Sequence, residues 1–280
     1  MQIPARTSPS ISERYRLIVC KVRQKIAFWG EAARIIGPGR LLMNSIAVNS
    51  LKSTSVLELY RGKRNVALIG RGASIPTSEF LNKIEIDLAI CLNFVSLDGL
   101  PPRLLEAISA QQCQPPPPLA RYSFKTLRSL GIKSIISNKR KSSRKFKRFL
   151  RFYSRAGIDV YHHPEDHELT VRGTDYFAVA PTQTGTALKC LFNVESVENI
   201  YLFGIDFFTT GYRLGSRHNI VRAPEMPNQN IQKEKGEPLI RFIIEQMNLI
   251  RSERPLTLFV SRKLSSKFQN VEGIEYFYDE

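Results

Sequence analysis

Seven short apolar runs punctuate the chain: Asn65–Gly70, Ile86–Asn93, Ile132–Ser137, Ile158–Tyr161, Asn199–Asp206, Leu256–Val260 and Ile274–Tyr278. Each is nearly continuous in apolar residues rather than alternating, and each is bounded by glycine, proline or polar residues. That is the pattern of strands buried on both faces of a sheet. Helical spacing falls between them, with a helix start at Pro76–Glu79, a helix over Ser142–Tyr153, another over Thr184–Val194 and a longer one over Gly236–Arg251. Strand and helix alternation throughout 65–278 predicts an α/β, Rossmann-like fold with a mostly parallel sheet, flanking helices, and ligands at the carboxyl ends of the strands.

Two stretches break the alternation. Residues 1–10 are polar with two prolines and read as an unstructured lead-in, whereas Ser12–Ile36 carries apolar residues at helical spacing among six cations, a basic amphipathic helix. The tract Gln111–Pro118, with four consecutive prolines, reads as a loop or spacer, excluded from helix and from central strand. The organisation expected is a basic helical N-terminal extension over 1–64 and an α/β domain over 65–280 with a proline-rich loop and basic insert at 111–155.

Charge sharpens this division. The chain holds 41 basic and 25 acidic residues, a net +16. Residues 1–64 contribute 12 cations and 3 anions, and residues 121–155 contribute 13 cations and no anion, leaving the remainder at −6. A local basicity of this kind argues against a protein that only coats nucleic acid and points to two cationic attachments on a mildly acidic core. The first basic helix either packs on the main domain or docks on a membrane surface, and the second basic face is either solvated or directed to an anionic lipid or phosphorylated glycan surface, with nucleic acid ranked below. The aromatics of the second segment, Phe146, Phe149 and Tyr153, share one helix face and are expected to pack on the sheet. Cys20, Cys91, Cys113 and Cys190 form no Cys-x-x-Cys pair, and no apolar stretch approaches the length of a bilayer span. A cytoplasmic protein, peripheral at most at the inner membrane surface, is the expectation.

Three constellations can carry chemistry. Gly70-Arg71-Gly72-Ala73-Ser74 ends the first core strand, where glycines let backbone amides approach a phosphate; the same turn also suits a plain strand-to-helix connection. Thr182, Thr184, Gly185 and Thr186 open a helix, as caps or as part of an anion site. Asp206 stands at the carboxyl end of an apolar strand, as a cap for the next turn or a ligand for ribose hydroxyls. The acid-rich cluster around His162, His163 and His167 is interrupted by Pro164, does not match a helical His-Glu-x-x-His, and reads as a solvated loop without metal.

Taken in order and spacing, Gly70–Ser74, Asn93, Thr184-Gly185 and Gly204-Ile205-Asp206-Phe207 resemble the motifs of the sialyltransferases, particularly the bacterial lipooligosaccharide enzymes of glycosyltransferase family 42 and the related family 29. About 60 residues within 65–260 carry the resemblance. It implies inverting transfer of a sialic-acid-type sugar from a CMP-activated donor to a hydroxyl of a glycan or glycolipid acceptor, with no metal and no cofactor beyond the donor itself. Gly70, Arg71, Gly72, Ser74 and Asn93 would hold the CMP phosphate and cytidine. Thr184 and Gly185 would meet the anionic sugar, and Asp206 the ribose region.

The chain departs from the family at three points. Arg71 replaces the asparagine of the first turn, Phe208 replaces the tyrosine that stabilises the departing phosphate, and the segment before the last helix lacks the base histidine. Tyr212 and His218 are the available substitutes for the catalytic pair. The alternatives are a non-catalytic relative or basic nucleic-acid-associated protein of the same fold, and a transferase using another nucleotide sugar.

Overall fold

A computed structural model describes residues 53–92, 100–113, 131–143, 146, 147, 150, 153, 158–170, 172–173, 182–209 and 232–279. The basic helix expected at 12–36, and with it most of the N-terminal extension, lies outside the described residues, as do Asn93, Tyr212 and His218.

The fold is α/β and Rossmann-like. Nine strands form one sheet: β1 (Thr54–Ser55), β2 (Asn65–Ile69), β3 (Leu88–Leu92), β4 (Ile108–Cys113), β5 (Ser134–Arg140), β6 (Asp159–His163), β7 (Asn199–Phe203), β8 (Thr257–Ser261) and β9 (Ile274–Phe277). Their order is β1-β6-β5-β4-β3-β2-β7-β8-β9, and every pair is parallel. The chain therefore builds outward from β2 to β6, then returns across the sheet to lay β7 on the other side of β2.

Helices cover both faces. On one side α1 (Val56–Tyr60), α4 (Gln183–Leu191) and α5 (Glu237–Ile250) bury Val56, Leu188, Leu191, Ile243 and Met247 against Val66, Leu68, Ile90, Ile200 and Leu258. On the other, α2 (Ser78–Asn82) and α3 (Pro102–Ala107) bring Leu81 and Leu104 onto Ala67, Ile69, Ala89 and Phe203. Burial from both sides is why the strands read as unbroken apolar runs. Positions 146, 147, 150 and 153 are helical; Phe146 and Tyr153 are buried beside Ile135 and Val160 as expected, with Leu150 beside them, while Phe149 lies outside the described residues. No helix among the described residues is long and apolar enough to cross a membrane.

Three expectations are corrected. The sheet begins before residue 65, since β1 pairs with β6 and α1 buries Val56 and Tyr60 in the core. Gln111–Cys113 is not spacer but the end of β4, a central strand; the buried Gln112 is tolerated there because its Nε2 donates to the Gln183 carbonyl (3.1 Å) and to Gln183 Oε1 (3.0 Å). The segment expected to be an insert thus supplies the end of β4 and the whole of β5 to the sheet. His162 and His163 are likewise not in a solvated loop. They end β6 and are buried, satisfied by their neighbours: His162 Nδ1 meets the His163 carbonyl (3.0 Å) and His163 Nδ1 the Pro164 carbonyl (2.9 Å). Farther along the cluster, His167 and Glu168 are exposed.

Candidate functional site

Reversal of strand order between β2 and β7 defines the switch point of the sheet, the place where doubly wound folds leave a crevice outside the carboxyl ends of the strands. The two turns that follow these strands are the first and third constellations of the sequence, and they are bonded directly to one another. Gly70 N donates to the Phe203 carbonyl, Gly72 N to the Gly204 carbonyl and Gly204 N to the Ser74 carbonyl, each at 2.7 Å. Contact this close requires bare backbone. A Cβ on Gly72 would fall on Asp206 Oδ2 and within 2.9 Å of the Gly204 oxygen, while Gly204 itself has φ +61°.

Asp206 completes the lock. It is 6% exposed, its Oδ1 accepts from the Ser74 hydroxyl, and its Oδ2 accepts from Ala73 N at 2.8 Å. Its own carbonyl takes Thr209 N (2.8 Å) and Thr209 Oγ1 (2.5 Å), so the residue also caps the turn that follows. Phe207 and Phe208 continue this turn at φ 51° and 65°, a left-handed pair of bulky residues. The start of α5 presses on it, for a Cβ on Gly236 would meet the Phe207 carbonyl.

This geometry redistributes the expected roles. Amides of Gly70, Gly72 and Ala73 all donate within the protein, so the glycines form the floor of the turn rather than an amide cradle. Arg71, half-buried, is the cationic member of that turn. The Asp206 carboxylate is turned toward Ser74 and Ala73, and it is the backbone carbonyl, not the side chain, that closes the turn that follows.

The second constellation opens α4 at the same edge of the sheet. Thr182 is the N-cap, with Oγ1 accepting from Gly185 N at 3.0 Å; Thr186 Oγ1 donates back to the Thr182 carbonyl at 2.8 Å. Thr184 and Gly185 lie in the first turn, where the helix dipole is positive. Beside them Gln183, 6% exposed, receives Gln112 from the end of β4, and its own Nε2 is buried without a partner.

Two polar pairs at the carboxyl edge went unread in the sequence. Gln112 and Gln183 are one. The other joins the ends of β8 and β9, where Ser261 Oγ donates to Asp279 Oδ2 (2.8 Å) and Lys263 Nζ stands 3.0 Å from the same carboxylate. A polar residue interrupting the end of an apolar run was the only available signal, and it is shared by every strand end. Among the described residues no three His, Cys, Asp or Glu side chains converge as metal ligands would.

Fold and site together define a doubly wound α/β protein whose switch point is built from two interlocked glycine turns. No family model, curated protein or solved structure matches this chain.

Proposed function

We propose that this protein is a sialyltransferase-like glycosyltransferase that moves an acid sugar from a CMP-activated donor to a glycan hydroxyl, with inversion at the transferred carbon. The observation that carries the reading is the juxtaposition of the resembling motifs. Gly70–Ser74 and Gly204–Phe207, far apart in sequence, meet at the switch point, with the N-terminus of α4 on the same edge of the sheet. Parallel topology brings strand-end turns and helix starts to one edge in any such sheet; what favours the reading is that the two resembling turns meet at the switch point, where doubly wound folds bind their ligands.

In this reading Arg71 and the first turn of α4 supply positive potential for the donor phosphate and the sugar carboxylate. Attack by the acceptor hydroxyl forms the new glycosidic bond as the bond to the CMP phosphate oxygen breaks. The acceptor proton passes to a base, for which His218 has suitable chemistry near neutral pH, and Tyr212 has the hydroxyl to bond the departing phosphate.

Thermal unfolding of the full chain with CMP, UMP, GDP and a short RNA tests the proposal. Selective stabilisation by CMP is expected. Stabilisation by UMP or GDP instead would move the donor to another nucleotide sugar, and salt-sensitive RNA binding with no nucleotide effect would sink the transferase reading.

A further inference from the structure

We propose that the protein docks on anionic phospholipid through the carboxyl edge of its sheet, using the cations at the end of β5 and on the helix after it. Residues 121–155 hold 13 cations and no carboxylate. Lys139 and Arg140 are the last residues of β5, Lys141 is exposed in the turn beyond, and Lys147 is exposed on a helix whose positions 146, 150 and 153 are buried. Arg140 lies 3.9 Å from Glu165. Among the described residues, no carboxylate pairs with Lys139, Lys141 or Lys147. The lysines therefore present net positive charge that the protein does not neutralise.

The character of this face selects a lipid surface over nucleic acid. Among the described residues, its aromatic side chains Phe146 and Tyr153 are 1% and 2% exposed, packed under the helix, and offer no platform on which a base could stack. Among the described residues the face presents the ammonium groups of Lys139, Lys141 and Lys147, suited to the diffuse phosphate charge of a bilayer. The position of the face gives the docked molecule an orientation. The strand order places β5 three strands from β2, about 14 Å at ordinary strand spacing, and Lys139–Lys141 leave the same edge as Gly70–Ser74. Docking through them turns the switch-point crevice toward the membrane. The inference stands on charge and topology alone, whatever donor the crevice takes.

The test is flotation of the full chain with phosphatidylcholine vesicles and with vesicles containing about one third phosphatidylserine. Binding should require phosphatidylserine and fall with added salt. Lys139→Glu/Lys141→Glu should weaken it at least tenfold, while Lys63→Glu/Lys133→Glu, with the same charge change at the amino ends of β2 and β5, should leave it within twofold. The basic N-terminal stretch is present in both variants and cancels, and melting curves confirm that both are folded. Equal losses from the two pairs, or no preference for phosphatidylserine, would overturn the proposal. So would RNA binding that depends on Lys139 and Lys141 while vesicle binding does not.

Discussion

Asp206 and Ser74 lie 132 residues apart in sequence and share a buried hydrogen bond that fastens the turn after β7 to the turn after β2. The bond is charge-assisted, and the same carboxylate holds Ala73 N at 2.8 Å. Ser74→Ala and Asp206→Asn should each destabilise the protein, and a double-mutant cycle in chemical denaturation should give a coupling of about 1–3 kcal/mol. Additive losses would mean that the two side chains act independently.

Gly204→Ala places a Cβ 2.9 Å from the Gly70 carbonyl on a backbone with φ +61°. Left-handed strain and overpacking together should cost about 2–4 kcal/mol. Gly62→Ala is the matched control, since φ is +74° but nothing lies within 4 Å of the added methyl. Its cost should stay near the strain alone, about 1–2 kcal/mol. Melting of the two variants separates the interlock from the dihedral.

Cys190 is buried and lies 3.7 Å from His163 Nε2; desolvation pushes its thiol up to about 12. At pH 8 the thiolate is then roughly one part in ten thousand, so in the native protein Cys190 should resist iodoacetamide. Peptide mass spectrometry should find Cys190 unmodified before denaturation and fully labelled after it. Native labelling would remove the thiol from the core.

Arg64 grips Glu198 through two hydrogen bonds, 3.0 and 2.7 Å long, and holds its carboxyl below the usual carboxylate range. A lowered folded value means that the contribution is complete above the unfolded value, near pH 4.3, and is lost as pH falls through the folded one. Glu198→Gln should lower the neutral plateau modestly, and its profile should converge with that of the parent as pH falls through the folded value. Because the pair is exposed, the difference should shrink in high salt.

His218→Ala and Tyr212→Phe should each cut sugar transfer by a factor on the order of 100 if these residues are base and phosphate partner. Wild-type turnover in either variant would release that residue from the mechanism.

The elements legible in the sequence are those whose burial leaves a one-dimensional trace. Strands β2, β3 and β7 appear as apolar runs because both faces are covered, and α5 appears through its spacing of Leu239, Ile243, Met247 and Ile250. β4 escaped because its end carries Gln111 and Gln112, whose polarity resembles that of the proline tract beyond; the bond from Gln112 to Gln183 spans 71 residues and has no local signature. β1 has two residues, too few for any period. His162 and His163 resembled a loop because their polarity is absorbed by neighbouring carbonyls, an arrangement that only the folded backbone supplies. At the switch point, both glycine turns were visible as motifs, yet their partnership was not. Asp206 was legible as a cap or as a ribose ligand, and the choice of Ser74 as its partner belongs to the topology.

The return of the chain to β2 also orders the life of the nascent polypeptide. Strands β3 to β6 are synthesised in sequence outward from β2, but the opposite side of β2 receives no neighbour until Asn199–Phe203 has been made. For that interval a central strand of the finished molecule is an edge, with a row of unpaired amides and the apolar side chains of Val66, Leu68 and Ile69 open to any passing strand. Fragments ending before Asn199 should therefore aggregate, whereas fragments that extend through β7 should gain solubility abruptly.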